Sequence, residues 1–338
     1  MRALGLVVPR PKGEAVRKKL LELGALDRQL EIRADAHSLI LPLLRPVELG
    51  YEMRRVEFKE LPGPPPDFRT IAKVPEKLRG QIPGSFDVLG HLAILKLPPA
   101  LERYGKAVGQ AILKTHASLR TVCVDRGVRG PRRLRELTVL AGESDTKTVY
   151  REHGLLYELD VSKVFFSPRL ATERLRVASQ VQPGEVVLDM FCGAGPFAML
   201  IAKRARPERV YALDANPDAI EALQHNLQLN HLTSVEPRVG DARELVPTLP
   251  KVDRAIMNLP HAAFDYFPLG LRALKAAGHL HYYEVLERTG VEVREAALHS
   301  VAEGQGAELQ VLVRHPVKSY SPTMDLFGFD LRISHKTS

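Results

Sequence analysis

From residue 166 onward, short apolar runs alternate with stretches of helical spacing. The runs at 185–191, 209–215, 234–240, 252–258 and 278–285 read as strands. Helical periodicity begins near Pro196, Pro217, Arg243 (a short one) and Phe264, and returns over 291–301. Two closing strands fall near 307–315 and 323–333. Continuously apolar strands with helical crossovers mean a parallel sheet covered on both faces. A short turn containing Pro322 joins the last two strands, so they pair antiparallel. The pattern predicts an α/β fold: a doubly wound, mostly parallel, seven-stranded, Rossmann-like sheet.

The front of the chain is patterned differently. Residues 4–8 read as a strand, and 13–23 as a helix with Val16, Leu20 and Leu23 on one face. Residues 38–44 read as another strand, ending before Pro46. Leu61-Pro62-Gly63-Pro64-Pro65-Pro66 cannot be helix or central strand, and marks a boundary. Beyond it, 101–113 has helical spacing, and 120–125 and 137–141 are short strand candidates. Two small α+β modules, 1–60 and 67–165, therefore precede a large domain, 166–338.

Length and composition fit this division. The 338 residues suit two domains, or one domain with added modules, and 45% hydrophobic with 26% charged residues is globular composition. No apolar run reaches the roughly 18 residues of a membrane helix. The N-terminal apolar run is too short for a signal peptide. Only Cys123 and Cys192 occur, which excludes a disulfide scaffold or a multi-cysteine zinc site and points to a reducing cytoplasm. The net charge of +8 is uneven: residues 1–165 hold 29 Lys+Arg against 20 Asp+Glu, and the rest hold 19 against 20. A polyanion-binding front half is expected, the alternative being a merely solvated basic surface. Residues 125–135 carry five arginines and read as an open loop able to grip phosphates.

The first strand of the large domain runs into Asp189-Met190-Phe191-Cys192-Gly193-Ala194-Gly195-Pro196-Phe197-Ala198, which fits the loose pattern G-x-G-x-x-G/A. Asp214 follows Gly193 by 21 residues, where a ribose-binding acid belongs. Taken alone this fits NAD or S-adenosylmethionine. Three features favour the second. Pro196 removes one N–H from the helix start that would cradle a pyrophosphate. Asp189 sets a carboxylate at the loop, which repels a pyrophosphate and attracts an ammonium or sulfonium. Asn258-Leu259-Pro260-His261 follows the fourth strand, at the carboxyl edge where ligands bind. The plainer alternatives are Asp189 as a loop cap and Asp214 as a helix N-cap. Cys192 lies inside the loop and reads as a small packing residue. His279 and His281 alternate on a strand without a second ligand pair, so no metal is expected.

These motifs resemble class I S-adenosylmethionine-dependent methyltransferases. More narrowly, the chain resembles the tRNA (guanine-37 N1)-methyltransferase family of the archaeal and eukaryotic kind. The matching segments are Phe166-Ser167-Pro168-Arg169-Leu170-Ala171-Thr172-Glu173-Arg174, Met257-Asn258-Leu259-Pro260, His281-Tyr282-Tyr283 and Val317-Lys318-Ser319-Tyr320-Ser321-Pro322. The first 125 residues match only in outline. The resemblance implies S-adenosylmethionine as cofactor, and tRNA as partner through its anticodon loop and elbow. A cytoplasmic monomer without membrane contact is expected. The implied cofactor set is Arg174, Asp189, Phe191, Gly193, Gly195, Asp214, Asp241 and Asn258.

Guanine N1 carries a proton at neutral pH, so methylating it needs a base and a donor to O6. The resemblance places the family's proton acceptor at Glu173. It lies on a helix that Ser167 would cap and Pro168 would open. Its alternative role is an ion pair with Arg169 at i, i+4. Arg133 is the candidate donor to O6, with Arg132 and Arg135 as neighbours, and Asn258 holds the base edge through its amide. Rival functions are a tricyclic-base methyltransferase, an aminocarboxypropyl transferase, and a non-catalytic RNA-binding protein with a vestigial fold. Asn258-Leu259-Pro260 favours methyl transfer.

Overall fold

The structure is a computed structural model describing residues 1–61, 66–129 and 134–335, without the side chains of 128, 129, 134 and 135. It divides into two compact units, Met1–Asp67 and Phe68–Ser338.

The first unit is a four-stranded antiparallel sheet in the order Arg33–Ala34, Ser38–Leu43, Arg2–Pro9, Met53–Glu57. Helix Gly13–Glu22 turns Val16 and Leu20 onto Leu6, Val8, Leu41 and Leu43. Leu23, expected on the same face, falls past the helix end and is 44% exposed. Gly24 there takes φ +58°, a left-handed backbone that suits glycine.

In the second unit a smaller sheet has the order Asp87–Leu89, Leu92–Leu95, Thr121–Arg129, Leu134–Gly142. Helix Gly105–Thr115 packs on it, preceded by a 3₁₀ turn over Pro99–Tyr104. The stretch 125–135, expected as an open loop, is largely the pairing end of a β-hairpin; Val128 pairs with Arg135 and Arg129 with Leu134. Arg132 and Arg133 lie outside the described residues. A further hairpin, Lys147–Glu152 with Leu155–Asp160, was not predicted.

The large sheet has strands β1 (Val186–Asp189), β2 (Arg209–Asp214), β3 (Val235–Val239), β4 (Val252–Met257), β5 (Leu274–Glu287), β6 (Ala307–Ser319) and β7 (Met324–His335). Their order is β3-β2-β1-β4-β5-β7-β6, with β7 antiparallel to both its neighbours. The helices are α1 (Ala171–Ala178), α2 (Pro196–Ala205), α3 (Pro217–Leu229), α4 (Ala242–Leu245), α5 (Ala263–Ala273) and α6 (Val291–Gly304). Successive strand residues face opposite sides. Val187 and Tyr283 meet residues of α2 and α3, such as Phe197 and Leu223, while Leu188 and Tyr282 meet Phe267 of α5 and Leu298 of α6. The first of these cores continues through Tyr157 and Phe166 to Leu89 and Leu92, so it is unbroken across residue 165.

Candidate active site

β1 ends in Asp189, and the chain then turns over a tight loop into α2. Gly193 (φ +55°) and Gly195 (φ +76°) adopt left-handed backbone there. A Cβ on Gly195 would sit 2.3 Å from Leu223 Cδ1, so the loop packs directly on α3. Pro196 occupies the first turn of α2, where a missing N–H costs nothing. The Cys192 N–H donates to Leu213 O at 2.8 Å, and the Gly193 N–H donates to the Asp214 carboxylate at 2.7 Å. The other Asp214 oxygen accepts from the Asn216 N–H at 2.9 Å. Asn216, not Asp214, caps α3, accepting from the Asp218 N–H at 3.2 Å. Two lone-pair positions of Asp214 remain for a ligand.

Asp189 is 1% exposed, and among the described residues neither of its carboxylate oxygens meets a donor in good hydrogen-bond geometry. The amides of Phe191 and Ala198 face it and favour its charge, but burial and the Asp214 carboxylate outweigh them and raise its pKa to about 7. A buried carboxylate without a counter-charge is costly, and a cationic ligand group would relieve that cost. Burial also pushes the Cys192 thiol well above its ordinary pKa, in keeping with a packing role.

Beside the loop, Phe191 meets Tyr266 edge-to-face at 5.0 Å, and the Arg243 guanidinium lies 4.2 Å from the Tyr266 ring centre. Asp241 caps α4 by accepting from the Arg243 N–H at 2.8 Å. These residues form an aromatic and acidic rim.

Asn258 follows β4 one position beyond the paired Met257 and Tyr282, and its Oδ1 is buried without a partner among the described residues. The next residues are held to β5, since the Val285 N–H donates to Pro260 O at 2.8 Å, and His261 meets Tyr320 ring to ring at 5.2 Å.

Glu173 lies on α1, 6% exposed. It does not pair with Arg169, which instead bonds Asp87 at 2.6 Å. The Ser167 side chain makes no capping hydrogen bond, and the turn over Pro168–Leu170 is 3₁₀. Glu173 accepts from Arg176 (2.9 and 2.7 Å), the Tyr283 hydroxyl (2.6 Å) and His315 Nε2 (3.0 Å). Burial by itself would raise its pKa. The bonds from His315, Arg176 and Tyr283, with the Arg176 charge, win and bring it to about 2. Arg176 also bonds Asp330, which accepts from His281 at 2.7 Å. Composition and spacing missed Arg176, His315 and Asp330. One available signal was the alternation of His281 and Tyr283, which puts both on one face of β5.

Arg174 is engaged otherwise than the sequence suggested. It is 1% exposed, bonds Glu152 in a fork at 2.7 and 2.5 Å, and donates to Ser167 O at 3.1 Å. It thereby ties α1 to the hairpin strand Lys147–Glu152. Arg133 lies outside the described residues.

The strand order, the glycine loop at the carboxyl edge and the acid ending each of the first two strands define a class I methyltransferase. A family model for the TRM5/TYW2 methyltransferase domain matches residues 148–309, one for the TYW2 N-terminal domain matches 70–146, and one for the tRNA methyltransferase 5 N-terminal domain matches 5–52. The chain is 40% identical to the tRNA (guanine(37)-N(1))-methyltransferase Trm5b of Pyrococcus abyssi, over 98% of this chain and 99% of that protein. The crystal structure of that enzyme superposes with TM-score 0.76 at 39% identity, covering 98% of this chain and 99% of that one. An aTrm5–tRNALeu complex gives 0.70 at 31% identity, covering 97% and 99%. Methanocaldococcus jannaschii Trm5 with adenosine gives 0.68 at 32%, covering 98% and 100%. The chain belongs to the TRM5/TYW2 family of tRNA methyltransferases.

Proposed function

We propose that this protein transfers a methyl group from S-adenosylmethionine to N1 of guanosine 37 in tRNA. The carrying observation is that buried acceptors of Asp189 and Asn258, without a well-formed hydrogen bond among the described residues, lie at the carboxyl edge of the sheet. They do so in a chain similar over 98% of its length to an enzyme of that activity.

The residues fit the cofactor. Asp189 supplies an uncompensated carboxylate for a cationic group, and Asp214 keeps acceptor positions for ribose hydroxyls. Gly193 leaves open space, since a Cβ there would meet nothing nearer than Phe165 O at 3.7 Å. Phe191 and Asp241 border the base, and Gly195 sets the loop's close approach. When bound, S-adenosylmethionine would supply a methyl group made electrophilic by its sulfonium, the methyl–sulfur bond breaking to leave neutral S-adenosylhomocysteine.

The chain's own residues supply the rest. Glu173 takes the N1 proton, so that the N–H pair becomes the pair that attacks the methyl group. Asn258 holds the edge of the guanine through its amide, and Arg133 donates to O6 as charge builds there. Residues 1–60 dock the tRNA elbow, and the basic segment 67–165 grips the backbone near the anticodon loop. No described helix is long and apolar enough to cross a membrane; we place the protein in the cytoplasm, as a monomer.

The test is incubation with methyl-labelled S-adenosylmethionine and unmodified tRNA, digestion, and identification of the nucleoside. Label in N1-methylguanosine is expected. Label only in another nucleoside, or transfer of the aminocarboxypropyl group instead, would overturn the reading.

A further inference from the structure

Glu173 poses a difficulty for its own proposed role. A carboxylate has about four acceptor positions. Oε1 accepts from Arg176 Nη2 and the Tyr283 hydroxyl, and Oε2 accepts from Arg176 Nε and His315 Nε2. All four are filled, so a substrate N–H can reach this carboxylate only if one donor leaves.

The donors are not equally fixed. Arg176 makes two bonds to Glu173 and is held from behind by Asp330 of β7. Tyr283 is 1% exposed and packs against Phe197, with ring centres 5.9 Å apart. His315 makes one bond, the longest of the four at 3.0 Å, and a quarter of its side chain is exposed. It stands on β6, the edge strand of the sheet, between register shifts at Val311/Val313 and Pro316/Lys318. Its Nδ1 has no partner, so the bond to Glu173 is the ring's one polar tether among the described residues.

The position is also built. Tyr283, Gly328 and His315 lie side by side across β5, β7 and β6. A Cβ on Gly328 would sit 3.0 Å from His315 Cε1 and 3.1 Å from Tyr283 Cε1. The missing side chain lets both rings converge on Glu173 from one face of the sheet.

We propose that His315 is a place-holder on Glu173: in the free enzyme it occupies the Oε2 position that the guanine N1–H takes when tRNA binds. The inference rests on Glu173 as the base. While no substrate is present, His315 keeps the buried carboxylate ionised and aimed. Its departure removes one donor from Glu173 and makes the carboxylate more basic as it receives the proton. His315 is thus a positioning residue: it donates its Nε2–H to Glu173 and does not relay the substrate proton.

The test is NMR of enzyme with ¹⁵N-labelled histidine, saturated with S-adenosylhomocysteine, with the His315 signal assigned by its loss in His315→Gln. Unmodified tRNA carrying guanosine 37 should shift the Nε2 signal. The same tRNA with adenosine 37, which has no N1–H, should not. No shift with guanosine, or equal shifts with both, overturns the proposal. In single-turnover kinetics, His315→Phe should raise the rate divided by the tRNA Kd by about tenfold or more, because a hydrogen bond to a charge no longer has to be broken. A fall of tenfold or more would make His315 a proton carrier and overturn the place-holder role. Glu173→Gln separates the two readings. A normal rate in that variant removes Glu173 as base, whereas a slow variant beside an unmoved His315 signal removes only the place-holder.

Discussion

The Gly193 N–H donates to the Asp214 carboxylate at 2.7 Å, tying the glycine loop to the end of β2. Asp214 thus closes the loop and, in the proposed function, also accepts the ribose hydroxyls. Asp214→Ala removes both, and S-adenosylmethionine affinity should fall by about 1–3 kcal/mol. Asp214→Asn keeps one acceptor oxygen and should lose less. Calorimetric titration measures both variants, and an unchanged affinity in Asp214→Ala would take the residue out of the site.

Asp189 gives a pH dependence of known sign. Burial, then the Asp214 charge, raise it from 3.8 to about 7 in the folded protein. A carboxyl group whose folded pKa lies above its unfolded one stabilises the protein while protonated. That contribution is lost as pH rises from about 4 to about 7. Asp189→Asn should flatten this part of the stability curve in chemical denaturation without cofactor. A ligand ammonium favours the ionised form, so cofactor binding should release a proton and tighten as pH rises through about 7. Calorimetry in buffers of different ionisation heat tests this, and zero proton release near pH 7 would contradict it.

Asn226 on α3 and Asn230, the residue that caps its C-terminus, clasp the edge of the strand Leu155–Asp160. Asn226 accepts from the Glu158 N–H at 2.8 Å and donates to Glu158 O at 3.1 Å; Asn230 does the same with Leu156 at 2.9 and 2.7 Å. Two side-chain amides thus stand in for a neighbouring strand. Asn226→Ala would leave two backbone groups of Glu158 without partners and should cost roughly 2–4 kcal/mol in urea unfolding. A cost below about 0.5 kcal/mol, the level of a surface change, would mean that water replaces the amide freely.

How much could be read from the chain follows from where the signals lie. The large sheet was legible because its strands are buried on both faces and punctuated by helices. The hairpin over residues 147–160 was not, because the inward positions of its first strand are Thr148, Tyr150 and Glu152, which carry little apolar signal, although Leu155, Tyr157 and Leu159 alternate with Glu158 and Asp160 in the second. Its strand Leu155–Asp160 is instead held through the amides of α3. At 125–135, glycine and arginine suggested open loop, yet cross-strand pairing with 134–142 kept most of it in a ladder. The glycine loop after β1 was legible because the residues that shape it are adjacent in the chain. The surroundings of Glu173 were not, since Tyr283 and His315 arrive from 110 and 142 residues away.

The basic front half should make tRNA binding steeply salt-dependent, because each phosphate contact releases counterions. Removing residues 1–60, nearly all of the first compact unit, should weaken tRNA binding while leaving S-adenosylmethionine affinity unchanged. Filter binding across salt concentrations and cofactor titration of the same protein test this together. Normal methylation of full-length tRNA by the truncated protein would remove the docking role.

Glu173→Gln bears most directly on the chemistry. Glutamine keeps the shape of the side chain and can still accept from Arg176 or Tyr283 through its carbonyl, but it cannot take a proton. Single-turnover methyl transfer should slow by roughly 10²–10⁴-fold, the range for a lost acid–base group, with tRNA and cofactor affinities little changed. The pH profile adds a sharper condition. The pKa of Glu173 in the free protein is lowered to about 2, so it stays ionised throughout mildly acid pH. It therefore contributes no acid limb to the second-order rate there. Any acid limb that Glu173 does produce belongs to the bound state, after a donor has left, and should vanish in Glu173→Gln. Near-wild-type single-turnover rates in that variant would leave Glu173 as the ion-pair partner of Arg176, and the base would then be sought at Asp265, in the first turn of α5, or in a bound water.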